Sequence, residues 1–400
     1  MRTDFVSGYC AQSLSPTFHG IGRPTFRRSW AEAYRQANEL FADRLAEMAA
    51  PGATVWLHDF HLLQTPSHLR RMRPDLRIGV QLHSPFPPPE LLMRLPDRAR
   101  LIDGLVGADL IAVAETRSAD NVGSAVADMV RRQPHTQVIP LGVDAAGIRA
   151  LAEDPAVRRA AAELRNSFGE SPTVFLSVGR LDAAQGLQHR LDAFEALLAG
   201  GRLDPARTVL ALVVTADDRT DEAAELRCRI EQAVAGINGR YGRVGRPVVH
   251  HLYRSLNMRD TVVLYLAADV LLATPLAGGT DLTAQEFVAA RRDATGRLIF
   301  SELNATCSHL PEAYQVNPHH LENTVETMTS AASQAHVASP DMAIMRERVS
   351  HHDAAHQTRL FLSAVGGGPD VRSAASALCH RIDATSQPHR EQTSTSVALT

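Results

Sequence analysis

Two apolar runs in the first quarter of the chain each end in side chains that can bind a ligand or carry a proton. These side chains are His58, Asp59 and His61 after the run at 55–57, and His83 after the run at 78–82. The carboxyl ends of neighbouring strands in an open α/β sheet face one crevice, where such sheets bind their ligands. A single strand-end histidine is more often a hydrogen-bonded structural residue, but two such ends about 25 residues apart favour a functional site.

Two later turns carry residues suited to an anion and to a sugar. Arg180 follows an apolar run at 173–178, and a glycine-bearing turn leads from it into a helical pattern. A guanidinium fork beside a helix amino terminus is well suited to phosphate. The segment at 274–286 makes a glycine turn into a second helix that carries Glu286, and a carboxylate deep in such a crevice can accept hydrogen bonds from a ribose diol.

The elements that must position these residues alternate between helix and strand in two successive stretches. Helical periodicity at 27–49 precedes a strand at 54–57, and the same alternation continues to the end of each stretch. This pattern predicts an α/β fold of two doubly wound, Rossmann-like domains that face a central cleft. The expected divisions are a first domain at 1–143, a second domain at 144–335, a terminal helical segment at 336–366 and a disordered tail at 367–400.

Composition excludes several classes of function. The net charge of -3 over 400 residues, with dispersed arginines, argues against a nucleic-acid partner. All 41 basic residues are arginine, so Schiff-base chemistry and a phosphate-loop lysine are excluded. The amino terminus lacks an apolar signal core, and no apolar stretch approaches the roughly 20 residues that span a bilayer. We therefore expect a cytoplasmic protein with no membrane partner.

No metal or other cofactor is predicted. The cysteines are far apart and lack paired ligand spacing, which indicates reduced thiols; they are Cys10, Cys228, Cys307 and Cys379. His352 and His356 have the i, i+4 spacing of a metal pair on one helix, but no third ligand is suggested nearby and a solvated face is favoured. No Asp-x-Asp pair follows a strand where a metal-dependent transferase would need it. Assembly into a homo-oligomer is left open.

Five motifs in the same order resemble those of the trehalose-6-phosphate synthases, the retaining GT-B glycosyltransferases of family 20. The similarity runs from about Phe5 to Ala332. The motifs are His58-Asp-Phe-His, Leu82-His-Ser-Pro-Phe-Pro, Gly179-Arg-Leu-Asp with Gln185-Gly, Ile237-Asn-Gly-Arg-Tyr-Gly, and Thr274-Pro-Leu through Glu286-Phe-Val-Ala-Ala-Arg. The resemblance implies a GT-B fold and transfer of glucose from UDP- or GDP-glucose to glucose 6-phosphate with retention, in trehalose biosynthesis.

The resemblance also implies roles for individual residues. His83 would contact the donor sugar, Arg180 would clamp the diphosphate, and Glu286 would bind the ribose. The donor site would also include Gln185, Gly278, Gly279, Asp281 and Leu282. On the acceptor side, Asp59 would meet sugar hydroxyls and Arg219 the 6-phosphate, which makes 1–143 the acceptor-side domain and 144–335 the nucleotide-sugar domain. The expected catalytic residues are Arg180, His83 and Asp59.

Departures from the family pattern concern the same site. Gln185 stands where the family has a lysine, Gly278 stands where it has an acidic contact to the donor sugar, and Val6 and Ser15 stand where aromatic residues flank the acceptor. The family's opening strand and its Gly-Gly loop have no counterpart in this sequence.

Three hypotheses follow from these matches and departures. The first is a working synthase, because Asp59, His83, Arg180, Arg219 and Glu286 are all present. The second is a catalytically impaired relative that binds a sugar phosphate or a partner protein as a sensor or scaffold. The third is a related coupling enzyme that uses another donor or acceptor.

Overall fold

The computed structural model describes residues 2–129, 135–170, 172–215, 221–277, 281–304 and 307–366. Two parallel sheets, one in each half of the chain, form its framework. The first sheet contains β1 (Thr54–His58), β2 (Arg77–Gln81), β3 (Leu110–Val113) and β4 (Thr136–Val138), in that order. The carboxyl ends of β1 and β2 therefore lie side by side, with His58 opposite Gln81 in the register.

The second sheet has six parallel strands in the order β10-β9-β8-β5-β6-β7. They are β5 (Thr173–Arg180), β6 (Thr208–Thr215), β7 (Val249–Tyr253), β8 (Val270–Ala273), β9 (Arg297–Ser301) and β10 (Tyr314–Val316). The strand order reverses between β5 and β8, and doubly wound sheets bind ligands at the crevice outside such a reversal. The loops that follow β5 and β8 are therefore the place to look for a bound ligand.

Helices cover both sheets. In the first half they are α1 (Ser15–His19), α2 (Arg28–Met48), α3 (Thr65–Met72), α4 (Pro89–Leu92), α5 (Arg98–Leu105) and α6 (Thr116–Met129), and a π-helix at Asp4–Leu14 precedes α1. In the second half they are α7 (Ala145–Glu153), α8 (Pro155–Ser167), α9 (Leu187–Ala199), α10 (Asp221–Tyr241), α11 (Met258–Ala267), α12 (Leu282–Ala290), α13 (Leu321–Gln334), α14 (Pro340–His351) and α15 (Ala354–Gly366).

The strands of the second sheet bury apolar side chains on both faces, as parallel strands do when helices lie on each side. Val174 and Leu176 of β5 pack into one core with α7, α8, α11 and α12. Phe175 points to the other core, which α9, α10 and α13 complete. This arrangement, with the parallel first sheet, confirms the prediction of an α/β fold with two Rossmann-like domains.

The last two helices belong to different halves of the molecule. Met342 and Met345 of α14 pack into a core of the second sheet, whereas Phe361 and Val365 of α15 pack against the first sheet. The lack of a side chain at Gly79 in β2 leaves room for the Phe361 ring, because a Cβ there would lie 2.4 Å from Cζ of Phe361. The terminal segment therefore crosses back and covers the face of the first sheet opposite its main core.

The two crossings between the halves run side by side. The amide of Ala354 donates to the carbonyl of Val143 (3.0 Å), and the amide of Gly142 donates to Oε1 of Gln357 (3.0 Å). Gln357 in turn donates to Oε1 of Gln81 at the end of β2 (3.0 Å). These bonds join the connecting segments directly to the end of a strand that carries candidate site residues.

Some expectations need correction. His352 and His356 do not share a helix, because His352 directly follows α14 and His356 lies in α15, although their ring centroids are 5.2 Å apart. The tail at 367–400 lies outside the described residues. Among the helices that are described, none is long and apolar enough to cross a membrane.

Candidate active site

Asp59 holds the turn after β1 against the turn after β2. Its backbone lies at φ 60° and ψ −176°, a region that costs a residue other than glycine on the order of 1–3 kcal/mol. Its amide donates to the carbonyl of Gln81 (2.8 Å), and its Oδ1 accepts from the amides of His83 (3.3 Å) and Ser84 (3.1 Å). The hydroxyl of Ser84 donates to Oδ2 (3.3 Å). The carboxylate therefore fixes the backbone that presents His83.

His58 and His83 form a direct imidazole pair at the same edge. Nδ1 of His58 lies 3.0 Å from Nε2 of His83, so one ring donates to the other. Burial lowers the pKa of both rings, and the neighbouring imidazole of His83 lowers the pKa of His58 further, which favours neutral forms. His58 also stacks on Trp56 (centroids 5.0 Å), and Trp56 stacks on Phe361 (centroids 4.0 Å, planes 12° apart).

Arg180 is available to an anion at the strand-order reversal of the second sheet. It is the last residue of β5, and its side chain is 67% exposed, with Nη2 3.5 Å from Oδ2 of Asp182. Asp182 also accepts from the amide of Ala184 (2.9 Å) and so starts a short 3₁₀ turn that ends at Gln185. The side chain of Gln185 lies against Gly179, whose Cβ would be 3.0 Å from its Oε1.

The loops after β5 and β8 are packed tightly against each other. Gly186 adopts the left-handed conformation (φ 68°), and a Cβ at this position would lie 2.6 Å from the carbonyl oxygen of Thr274. The amide of Leu276 donates to the carbonyl of Ala184 (2.8 Å). Because α9 begins directly after Gly186, this contact places its amino terminus beside the turn that leads to α12.

Glu286 on α12 is held by a buried tyrosine. The hydroxyl of Tyr265 donates to Oε2 of Glu286 (2.6 Å). Burial raises the pKa of Glu286, the bond from Tyr265 opposes that shift, and the charge of Asp281 adds to it. Asp281 caps α12 by accepting from the amide of Thr283 (3.0 Å), and Leu282 is the first helical residue.

The structure therefore gathers the predicted residues into two groups. Asp59 and His83 meet at the ends of β1 and β2, where Asp59 accepts from the His83 amide. The second group lies on the loops after β5 and β8 and on α12, and contains Arg180, Gln185, Asp281, Leu282 and Glu286. Within the described parts of the chain, no hydrogen bond or ion pair joins one group to the other. Arg219, Gly278 and Gly279 lie outside the described residues.

Val6 and Ser15 lie in the first two helices of the chain. They occupy the positions where the family has aromatic residues that flank the acceptor. Val6 is in the π-helix, and Ser15 begins α1, where its hydroxyl lies 3.4 Å from Nδ1 of His19. Their roles stay predictions.

Sequence reasoning missed two buried partners of the site. Tyr265 lies in the apolar helix α11 and gives no signal of its own. Arg190 lies in the first turn of α9 and is only 2% exposed. Its neighbours on the same helical face are Leu187, Leu191 and Phe194, so an arginine within an apolar stripe was the available signal.

Metal-ligating clusters and cavities are the other features that could form a binding site. Among the described residues, no group of three or more His, Cys, Asp or Glu side chains could hold a metal ion. A cavity of about 210 Å³ lies where the chain crosses between its halves. Its lining is Pro140, Leu141, Gln285, Ser308, His309, Leu310, Arg348, Val349 and His352, which includes none of the residues predicted for the donor or acceptor site.

A two-domain α/β fold with an exposed arginine and a buried carboxylate at its strand-order reversal is typical of proteins that bind nucleotides. The sequence model described as glycosyltransferase family 20 matches residues 2–366. This chain belongs to glycosyltransferase family 20.

Individual relatives are similar over most of their length. A trehalose-6-phosphate synthase from Mycolicibacterium gilvum is 38% identical over 389 residues, which cover 90% of this chain and 76% of the relative. A UDP-forming trehalose-phosphate synthase structure from Burkholderia xenovorans is 25% identical with a TM-score of 0.84, covering 90% of this chain and 84% of that one. An E. coli structure bound with UDP-2-fluoro glucose is 26% identical with a TM-score of 0.84, covering 91% and 84%. The fold is therefore GT-B, as predicted.

Proposed function

We propose that this chain transfers glucose from UDP-glucose to glucose 6-phosphate with retention, the reaction of the trehalose-6-phosphate synthases. The observation that carries the proposal is the strand-order reversal of the second sheet, where Arg180 ends β5 and the Tyr265-bound Glu286 lies in α12, in a chain of this family. Relatives named as trehalose-6-phosphate synthases supply the substrate class. The proposal favours UDP over GDP because a solved relative from Burkholderia xenovorans is named as UDP-forming.

On the donor side, each group has a task that its chemistry fits. The exposed guanidinium of Arg180 binds the diphosphate, and its fork can hold two phosphate oxygens at once. Glu286 accepts hydrogen bonds from the ribose hydroxyls while Tyr265 keeps its carboxylate in place. The donor-site roles of Gln185, Asp281 and Leu282 belong to the same proposal.

On the acceptor side, Asp59 and His83 position the reacting sugars. Asp59 can accept from sugar hydroxyls with the lone pairs that its backbone partners leave, and His83 contacts the donor sugar. The acceptor hydroxyl attacks from the face that the nucleotide leaves, and the departing phosphate oxygen takes its proton. No side-chain nucleophile is needed, so catalysis depends on alignment of the two sugars and on stabilising the diphosphate charge.

The segment assignments are also proposed. The first unit comprises 1–143, and we add α15 to it because Phe361 packs on its sheet. The second unit comprises 144–335 together with α14. Location in the cytoplasm is also proposed, because the widely spaced cysteines indicate reduced thiols.

A second candidate function is binding without transfer. Gln185 favours it, because a neutral amide replaces a cation that would face the leaving diphosphate. Loss of one preorganised electrostatic contact typically costs on the order of 10²–10³-fold in rate. A chain with this defect could still bind UDP and a sugar phosphate as a sensor.

The test is UDP release from UDP-glucose with and without glucose 6-phosphate, alongside calorimetric titration with UDP. Arg180→Ala should lose both UDP binding and glucose 6-phosphate-dependent release. Arg202→Ala is the matched control, since Arg202 is an exposed arginine just beyond the far end of α9, and it should behave as wild type. UDP binding without release would favour the sensor. Absence of UDP binding by the wild-type chain would refute the proposal.

A further inference from the structure

Arg190 is a fully buried cation whose charge is only partly satisfied. Its Nε donates to Oγ1 of Thr274 (3.1 Å) and its Nη1 donates to Oγ of Ser177 (2.9 Å), both neutral hydroxyls. Its Nη2 is buried and has no hydrogen-bond partner. Among the described residues, no carboxylate forms an ion pair with it. Buried charges in proteins are normally paired, so this guanidinium needs an explanation.

The position of Arg190 supplies that explanation. Ser177 lies in β5 and Thr274 directly follows β8, so the guanidinium lies between the two strands where the order of the sheet reverses. Above it, the carbonyl of Thr274 faces Gly186, where the loop after β5 meets the turn after β8. The cation therefore lies directly beneath the junction of the two loops that carry Arg180 and Asp281.

The guanidinium remains charged at neutral pH. Burial lowers the pKa of Arg190 to about 10, and the negative charge of Asp281 partly opposes that shift. Among the described residues no ion pair joins Asp281 to Arg190, and Oδ1 of Asp281 accepts from the amide of Thr283. α9 begins directly after Gly186 and α12 directly after Asp281, so each helix adds the partial positive charge of its amino terminus to one of these two loops. A site with this much uncompensated positive charge is arranged for an anion.

We propose that Arg190 is a buried cation of the donor site and stabilises the diphosphate of the nucleotide sugar through space, from beneath the loops that bind it. Charge interactions are weakly screened away from solvent, so no direct contact is required. This role offsets part of the charge lost where Gln185 replaces a cation. The inference rests on the proposed function, since it takes a nucleotide diphosphate as the ligand.

A purely structural role makes a different prediction. If Arg190 only filled space and bonded two hydroxyls, a neutral side chain of similar length would leave the preference for a diphosphate unchanged. If its charge acts on the ligand, neutral variants lose affinity for UDP but not for uridine, which lacks the diphosphate. The ratio of the UDP and uridine dissociation constants therefore separates the two roles.

The experiment is calorimetric titration of the full chain and of Arg190→Met, Arg190→Gln and Arg190→Lys with UDP and with uridine. Arg190→Gln retains hydrogen-bonding capacity toward Ser177 and Thr274, which protects against a variant that fails to fold. Both neutral variants should weaken UDP binding by at least about tenfold and leave uridine binding within about twofold. Arg190→Lys should retain most of the preference for UDP, because the positive charge remains.

Arg291→Met is the matched control. Arg291 is also buried, but it directly follows the carboxyl end of α12. Its Nη2 donates to the carbonyl of Ala268, which precedes β8 and so lies at the end of the strand away from the proposed donor site. This variant should leave the ratio of UDP to uridine affinity unchanged. An unchanged ratio in Arg190→Gln, with UDP bound by wild type, would overturn the inference alone. Failure of the wild-type chain to bind UDP would instead overturn the proposed function and the inference with it.

Discussion

Replacement of Phe361 by alanine should destabilise the first half of the molecule, although Phe361 lies in α15, the last helix of the described chain. Its ring is fully buried, stacks on Trp56 at a centroid distance of 4.0 Å and fills the space above Gly79. Truncation of a buried phenylalanine typically costs about 3–5 kcal/mol of unfolding free energy. The same contact predicts that Gly79→Ala costs about 1–3 kcal/mol, because its methyl group would collide with the ring.

The two substitutions should not be additive. In the double variant the new methyl group of Ala at position 79 enters the space that the Phe361 ring has left, so part of the collision disappears. The relief is partial, because Val365 also lies 2.7 Å from that Cβ position. We expect the combined loss to be smaller than the sum of the two single losses by at least about 1 kcal/mol.

Urea unfolding followed by tryptophan fluorescence measures this coupling. Trp30 and Trp56 are the only tryptophans of the sequence, and both lie in the first half, so the signal reports on that half. Phe18→Ala is the control, since Phe18 is also buried, but in the main core of the first half, and should show no coupling with Gly79→Ala. Additive losses for Phe361 and Gly79, within about 0.5 kcal/mol, would refute the packing of α15 on the first sheet.

Three further predictions concern charged residues. Arg165→Met should lower the unfolding free energy by about 3–5 kcal/mol, measured in urea, because it leaves the buried carboxylate of Asp269 without its bidentate partner (3.0 and 3.1 Å). Burial raises the pKa of Glu286 above its unfolded value, so the stability that this carboxyl contributes falls as pH rises, and Glu286→Gln should gain thermal stability relative to wild type from pH 4 to pH 8. The hydrogen bond from Tyr265 opposes that rise in pKa. In Tyr265→Phe, protonation of Glu286 and the resulting loss of UDP binding should therefore occur at a higher pH than in wild type as the pH falls. Asp59→Gly should abolish transfer and lower the unfolding free energy, because relief of about 1–3 kcal/mol of backbone strain offsets only part of the loss of three hydrogen bonds worth about 1.5–3 kcal/mol each. The opposite trend in any of these variants would contradict the contact on which its prediction rests.

Most strands could be predicted because parallel strands buried on both faces are continuous apolar runs. The strand predicted at 54–57 was short by one residue, and the apolar run at 173–178 lies within β5. The edge strand β10 was missed because it has only three residues, with Gln315 between Tyr314 and Val316. The π-helix at Asp4–Leu14 was also missed, since its period departs from that of an α-helix.

The partners of the site depend on contacts that no local pattern carries. Strand ends identified Asp59 and His83, because polar residues stand out after an apolar run. Tyr265 reaches Glu286 from a separate helix, and nothing in its own segment predicts that bond. Phe361 lies more than 300 residues from Trp56, so their stacking follows only from the return of the chain to the first sheet.

The most direct test of the account is the product of the reaction itself. Purified chain is incubated with UDP-glucose and glucose 6-phosphate, and the product is analysed by proton NMR alongside the amount of UDP released. Transfer with retention at this site should give a disaccharide phosphate with an α,α linkage, formed in equal amount to UDP and lost in Arg180→Ala. UDP bound with no disaccharide formed would contradict the claim that this site transfers glucose, and a β-linked product would contradict transfer with retention.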